Sequence, residues 1–209
     1  MPKIVDHDER RDHIADAATK VIAREGFERL TMRQIAAEAG YTHGAIARYF
    51  PTKESLLTAS FVRLHVQANG RILTEVAGKR GLDALEQMCR EILPFGDLGP
   101  KYARVVIAFW DHASQDTRVT QIHRENNQRW RDQFRRFLLE AREDGELADH
   151  IDIDTAVGEV ASRNAGWQMV SVLLPEVAGD ERIEAGLQAL LGELRGRPAD
   201  GSGRRGRDV

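Results

Sequence analysis

The chain has one cysteine, Cys89, so it forms no internal disulfide, and no paired cysteines and histidines carry the spacing of a zinc site. Such usage fits a reducing cytoplasm, and no metal or cofactor is expected. Long apolar runs are missing too. The run from Val105 to Trp110 falls far short of the about 20 residues a membrane helix needs, and Met1 to Glu9 lacks the apolar core of a secretory signal. The expectation is a protein neither exported nor membrane-spanning. Aromatic residues make up 6% of the chain and prolines number 6, so long helices can run unbroken and each of the 3 tryptophans is conspicuous. Net charge is small as well. A formal value of −3 excludes a polycation that coats nucleic acid over its whole surface, but it permits a local basic patch.

What is present is a globular composition. Hydrophobic residues are 42% and charged residues 30% of 209, enough for one large domain or a small one joined to a larger one. The charge is unevenly spread: residues 1–60 are neutral, 61–194 carry −6 and 195–209 carry +3. This asymmetry suits a small nucleic-acid module attached to an acidic body of another purpose. The last stretch, 196–209, is rich in Gly and Arg and is expected to be a disordered basic tail.

Apolar residues recur at helical spacing and nowhere alternate as in a half-buried strand, which predicts an all-α fold. Ile14, Ala17, Ala18, Val21 and Ile22 mark a first helix that Gly26 ends. Two short helices follow, then a long one after Pro51. Further helices are expected over 82–93, 102–114, 117–144, 154–174 and 181–194, with Asp154 as a plausible cap of the second-last. The expected organisation is an N-terminal three-helix module over 1–57, a larger helical domain over 58–195 and the tail.

The segment from Leu30 to Phe50 carries the most information. Thr31 and Gln34 have the spacing of a capping box, with Leu30 and Ile35 at its hydrophobic-staple positions. The grammar repeats at once: Thr42 can cap a second helix and Tyr41 with Ile46 can staple it, while Gly40 lets the chain reverse between the two. Two short helices joined by a glycine turn, with small Ala36, Ala37 and Ala39 permitting close approach, form either a helical hairpin within a bundle or a DNA-reading helix-turn-helix. The second helix favours the latter. Ile46 and Phe50 mark its buried side, leaving Thr42, His43, Ala45, Ala47 and Arg48 outward on a helix too short to be needed for packing.

Thr31, Ile35, Ala36, Ala39-Gly40, Thr42, Gly44, Ile46, Tyr49-Phe50, Lys53, Glu54 and Leu56-Leu57 together resemble the TetR family of one-component transcriptional regulators, over about residues 10–57. Ala47 stands where many members have a tyrosine, and the pattern of Ile46 with Tyr49-Phe50 looks more like the betaine-regulator (BetI-like) branch. The resemblance implies that the larger domain binds a small-molecule effector and dimerises. It also implies that Arg33 reaches double-stranded DNA from the supporting helix, that Thr42, Tyr49 and Lys53 hold phosphate, and that His43 and Ala45 meet base edges. Thr31, Tyr41, Gly44 and Arg48 belong to the same DNA-facing set. The implied function is a repressor released from a palindromic operator by its effector.

In the acidic body, Ile122, Trp130, Phe134, Phe137, Leu138 and Ala141 form an inward stripe interrupted by Asn126. Asn164 poses the same puzzle on the line through Val157, Val160, Ala161 and Gln168. A buried amide without a partner costs on the order of 1 to 3 kcal/mol, so each is bonded within the protein or faces a ligand cavity. Phe109, Trp110, Trp130 and Trp167 lie on three successive helices and are either core or the wall of a pocket, where aromatic faces can cage a quaternary ammonium. The candidate ligand residues are thus Phe109, Trp110, Asn126, Trp130, Asn164 and Trp167. The closing helices carry more apolar surface than one bundle face needs, which suits a homodimer. A helical-bundle enzyme is the rival reading, with Asp111-His112 or the Asp149 to Asp154 run as acid–base groups, and a structural adaptor without DNA binding is another. Neither acidic group has the spacing of a metal or nucleophile motif.

Overall fold

Helical periodicity is realised along the chain: among the described residues, 7–195 of this computed structural model, there are nine α-helices, one 3₁₀ turn and no strand. The stretch 196–209, expected to be a disordered tail, lies outside the described residues. The first helix, α1 (His7–Glu25), turns Ile14, Ala17, Ala18, Val21 and Ile22 inward against α2 (Met32–Ala39) and α4 (Lys53–Glu75). Between the latter lies α3 (His43–Tyr49), a short helix with Ile46 as its buried residue. Gly40 makes the α2–α3 reversal. Its φ of 70° is left-handed, and its N–H donates back to the Ala36 and Ala37 carbonyls.

The remainder comprises α5 (Gly81–Ile92), α6 (Gly99–Gln115), α7 (Thr117–Glu143), α8 (Ile153–Leu173), a 3₁₀ turn at Pro175–Val177 and α9 (Asp180–Leu194). α6 begins ahead of the expected Tyr102 because Pro100 sits in its first turn, where a missing N–H costs nothing. Asp152, and not Asp154, caps α8. Its carboxylate accepts from the Thr155 amide at 2.8 Å, which holds its pKa below the usual range, while Asp154 in the first turn pairs with Arg135. α5 has no local side-chain cap. Carboxylates from elsewhere do the work: Gly81 N–H donates to Glu140 at 3.2 Å and Leu82 N–H to Glu146 at 2.8 Å.

Two apolar cores result. One gathers α1–α3 and the first half of α4 onto Val105, Phe109 and Ala113 of α6. The other packs Ile72 and Val76 of α4 with α5, the second half of α7, α8 and α9. α4 supplies both, so no flexible linker separates them, and its Phe61 stacks on Phe109 with ring centroids 3.5 Å apart. Burying side chains of this size contributes about 1.5 to 3 kcal/mol each. The α9 stripe of Ile183, Leu187, Leu190, Leu191 and Leu194 is wholly spent inside the chain. α8 is different: it turns Val157 and Val160 inward, while Met169 and Leu173 at its far end stay 47% and 63% exposed, next to exposed Leu174 and Val177.

Candidate nucleic-acid interface and effector cavity

Local hydrogen bonds build the head. Thr31 Oγ1 accepts from the Gln34 amide at 3.2 Å while Gln34 Oε1 accepts from the Thr31 amide at 2.9 Å, completing the capping box that starts α2. Thr42 Oγ1 accepts from Ala45 N–H at 3.2 Å and starts α3. A third threonine, Thr52, forms a further box with Ser55 at the start of α4, a signal legible in the Thr-x-x-Ser spacing but not singled out from sequence. With Ile46 and Phe50 buried, α3 presents Thr42, His43, Gly44, Ala47 and Arg48 to solvent, while Ala45 and Tyr49 are half-buried.

The cations of the head fall into two groups. Arg24 pairs with Glu25 and Glu38, and Arg63 grips Asp12 at 2.8 Å and Asp16 at 3.1 Å. Arg33 and Arg48 are exposed and pair with no carboxylate among the described residues. Lys53 stands 4.8 Å above the Phe27 ring at the start of α4. Two expected contacts are already engaged within the chain. The Tyr49 hydroxyl is hydrogen-bonded to His7 Nδ1 at 3.0 Å, and Tyr41 is half-buried, edge-on to His13 with Arg10 above its ring.

A cavity of about 80 Å³ lies between α4, the end of α5, α6, α7 and α8. Of the expected ligand residues it brings together Trp110, Trp130 and Asn164 and leaves the other three outside its lining. Phe109 is core, stacked on Phe61. Asn126 donates to its own helix at the Ile122 carbonyl, 2.9 Å away. Trp167 lies over α9 at Gly186, where a Cβ would sit 2.8 Å from its ring. Asn164 is buried and satisfied, donating to the Val160 carbonyl at 2.9 Å. It also meets Cys89, whose thiol burial pushes up to about 12.

Sequence reasoning missed His65, His123, Asn127 and Arg131, which also line the cavity; Gln168 was on the inward line but not named as a ligand residue. His65 stacks on Trp130 at 4.5 Å and lies tilted against Phe61 at 4.2 Å, and its Nδ1 is bonded to the Phe61 carbonyl. Burial holds its pKa down to about 4 and lowers that of His123 as well, so both rings are neutral near pH 7. Trp130 Nε1 donates to Asn69 of α4 at 2.7 Å. A wider cleft of about 280 Å³ adjoins, sharing His65, Trp130 and Gln168 and opening toward Arg71, Arg90 and Glu91. The cavity thus abuts the helix that carries the head.

Comparison with known proteins gives matches over most of the chain. Residues 14–59 match the family model for bacterial regulatory proteins of the tetR family, and residues 81–196 match that for the BetI-type transcriptional repressor C-terminal region. The HTH-type transcriptional regulator PksA of Bacillus subtilis is 40% identical over 72 residues, 34% of this chain and 35% of that protein, so the chain matches about a third of its length. The HTH-type transcriptional regulator BetI of Vibrio parahaemolyticus is 28% identical over 156 residues, 72% of this chain and 78% of that one. Among solved structures, a protein from Saccharomonospora viridis described as a transcriptional regulator, in complex with choline, shares the fold with a TM-score of 0.80. It is 19% identical, over 88% of this chain and 96% of that chain.

Proposed function

The chain belongs to the TetR family of bacterial transcriptional regulators, in its BetI-type branch, and we propose that it acts as a homodimeric repressor that a small molecule in the α4–α8 cavity releases from a palindromic operator. One observation carries the DNA-binding part: α3 turns an uncommitted polar face to solvent, with Arg33 and Arg48 exposed and paired with no carboxylate among the described residues. On this reading His43 and Ala45 read base edges in the major groove, while Thr31, Arg33, Thr42, Arg48 and Lys53 position the head on phosphate. Tyr41, Gly44 and Tyr49 support the same surface, and Tyr49 reaches phosphate only by giving up His7.

Dimerisation is proposed through α8, whose exposed Met169 and Leu173 continue into Leu174 and Val177. A second copy would cover this strip, and two heads related by a two-fold axis would meet successive major grooves about 34 Å apart. The head over 1–57, the sensing and dimerising part over 58–195 and a cytoplasmic location complete the proposal. No helix among the described residues is long and apolar enough to cross a membrane.

Control passes through α4. His65 and Asn69 face the cavity side, Phe61 enters the head core, and Arg63 with Gln67 holds Asp16 of α1, the latter at 2.9 Å. A ligand that shifts α4 moves α1, and with it the spacing of the recognition helices. A coupling of about 1 to 3 kcal/mol gives a 5- to 150-fold change in operator affinity. Retardation of a DNA fragment from beside the gene, with loss of retardation in Arg48→Ala, tests the regulatory reading. An enzyme or an adaptor would leave the fragment unshifted.

A further inference from the structure

The walls of the cavity are chemically one-sided. Trp110 Nε1 and His123 Nδ1 are buried and have no hydrogen-bond partner among the described residues, and both residues border this cavity with their rings edge-on, 6.2 Å between centroids. An indole N–H can only donate, so the group that satisfies it is an acceptor. Arg131 is the charged side chain of the lining, and it pairs with no carboxylate among the described residues. No Asp or Glu borders the cavity. Asn164 and Gln168 donate to the carbonyls of Val160 and Ile92, and the rest of the surface is largely apolar, with Val106, Phe134 and Ala161.

A quaternary ammonium fits these walls poorly. It would find ring faces on Trp110 and Trp130, but Trp167, the third ring of the expected cage, lies against α9 instead. It would also meet the like charge of Arg131 with no carboxylate to offset it. An anion meets the reverse: a guanidinium suited to a carboxylate, an indole N–H that only donates, and His123 Nδ1, which donates to its oxygens in the Nδ1–H tautomer. We propose that the cavity takes a small carboxylate with an apolar body, its oxygens held by Arg131, Trp110 Nε1 and His123 Nδ1 and its body lying against Val106, Phe134 and Ala161. This rests on the reading of the cavity as the effector site. A longer acid extends into the adjoining cleft, toward Arg71 and Arg90.

The test titrates the full-length protein with butyrate, isovalerate, hexanoate and octanoate, each beside its neutral amide, and with choline, at fixed ionic strength. Tryptophan fluorescence and calorimetry are the readouts. At least one acid is expected to bind about tenfold more tightly than its amide and than choline, a difference of about 1.4 kcal/mol. Arg131→Gln should bring the acid-to-amide ratio near one, and Trp110→Phe, which keeps an aromatic ring and deletes the N–H, should lower acid affinity more than amide affinity. The proposal falls if no acid binds, if amides or choline bind as well as the acids, or if both variants keep the wild-type preference. DNA retardation by the same preparations separates the two readings. Protein that retards DNA without preferring acids loses this inference alone, while protein that prefers acids and ignores DNA keeps it and loses the regulatory role.

Discussion

His65 offers a quantitative test of how α4 meets the cavity. Burial, opposed in part by the bond to the Phe61 carbonyl, holds its pKa down from 6.5 to about 4. As pH falls, the unfolded chain therefore takes up a proton on this ring before the folded one does. The stability contribution is full above the unfolded value and is lost as pH falls from there toward the folded value. Integrated over those two values, the loss between about pH 7 and pH 5 is about 2 kcal/mol. For a chain of this size that corresponds to roughly 4 to 8 °C in Tm. His123, lowered by burial as well, adds to the loss in the same direction. Carboxylates contribute little in this window, because their ordinary values lie near pH 4. His65→Phe keeps a ring between Trp130 and Phe61 and deletes the titration. Urea unfolding of both proteins at a series of pH values should show the variant losing about 2 kcal/mol less than wild type on acidification. Parallel stability curves for the two proteins would refute the burial of a neutral imidazole at this position.

Three further outcomes are expected. His43→Ala should cost about 1 to 3 kcal/mol on the cognate operator and relax preference at one or two base pairs, whereas Lys53→Ala should weaken all sequences alike and reduce the salt slope by about 0.9; footprints and salt titrations that fail to separate the two would remove both assignments. Gly40→Ala places a Cβ on a residue with φ of 70° and should lower stability by about 1 to 2 kcal/mol, read as the midpoint of urea unfolding. Phe61→Ala opens a hole beneath Phe109 and His65, so a loss of about 3 to 5 kcal/mol is expected in the same assay; a cost under about 1 kcal/mol would mean that this stack is not core.

The head was legible because its determinants are local. Thr31 with Gln34, and Thr42 with Ala45, interact over three residues, a distance at which sequence spacing and spatial spacing coincide. Gly40 and the buried pair Ile46 and Phe50 complete a pattern that few other folds need. The cavity was less legible for the opposite reason. Its walls come from five helices, and periodicity fixes a helix's inward face only to about one residue, roughly 100° of rotation. Asn126 was therefore expected where Asn127 lines the wall. His65 and His123 are not among the apolar residues that marked the inward faces of their helices, and only packing shows their rings turned inward. Phe109 and Trp167 were expected either as core or as cavity wall, and sequence does not say which of two cores an apolar residue joins; they pack in different ones, outside the cavity lining. Between Asp149 and Asp154 several carboxylates share the same local grammar, and α8 begins at Ile153, so the cap is Asp152, bonded three residues on to the Thr155 amide.

The same packing sets how a ligand can act on DNA binding. A ligand shifts an equilibrium only by its differential affinity for the two arrangements. The cavity wall is split between α4, which brings His65, and α6–α8, which bring Trp110, His123, Arg131 and Asn164. Each unpartnered buried nitrogen on the α6–α7 side costs about 1 to 3 kcal/mol until a partner reaches it, an acceptor for the Trp110 N–H and for His123 in its Nδ1–H tautomer, which matches the range of the coupling that operator release requires. A carboxylate that bonds both nitrogens recovers that free energy only where its body also fits beneath His65. Its preferred α4 position is then passed to α1, since the Arg63 grip on Asp12 and Asp16 and the Gln67 bond to Asp16 tie the two helices together. Arg63→Met should therefore preserve ligand affinity while shrinking the ligand's effect on DNA retardation. An undiminished effect would place the transmission outside the α1–α4 contact.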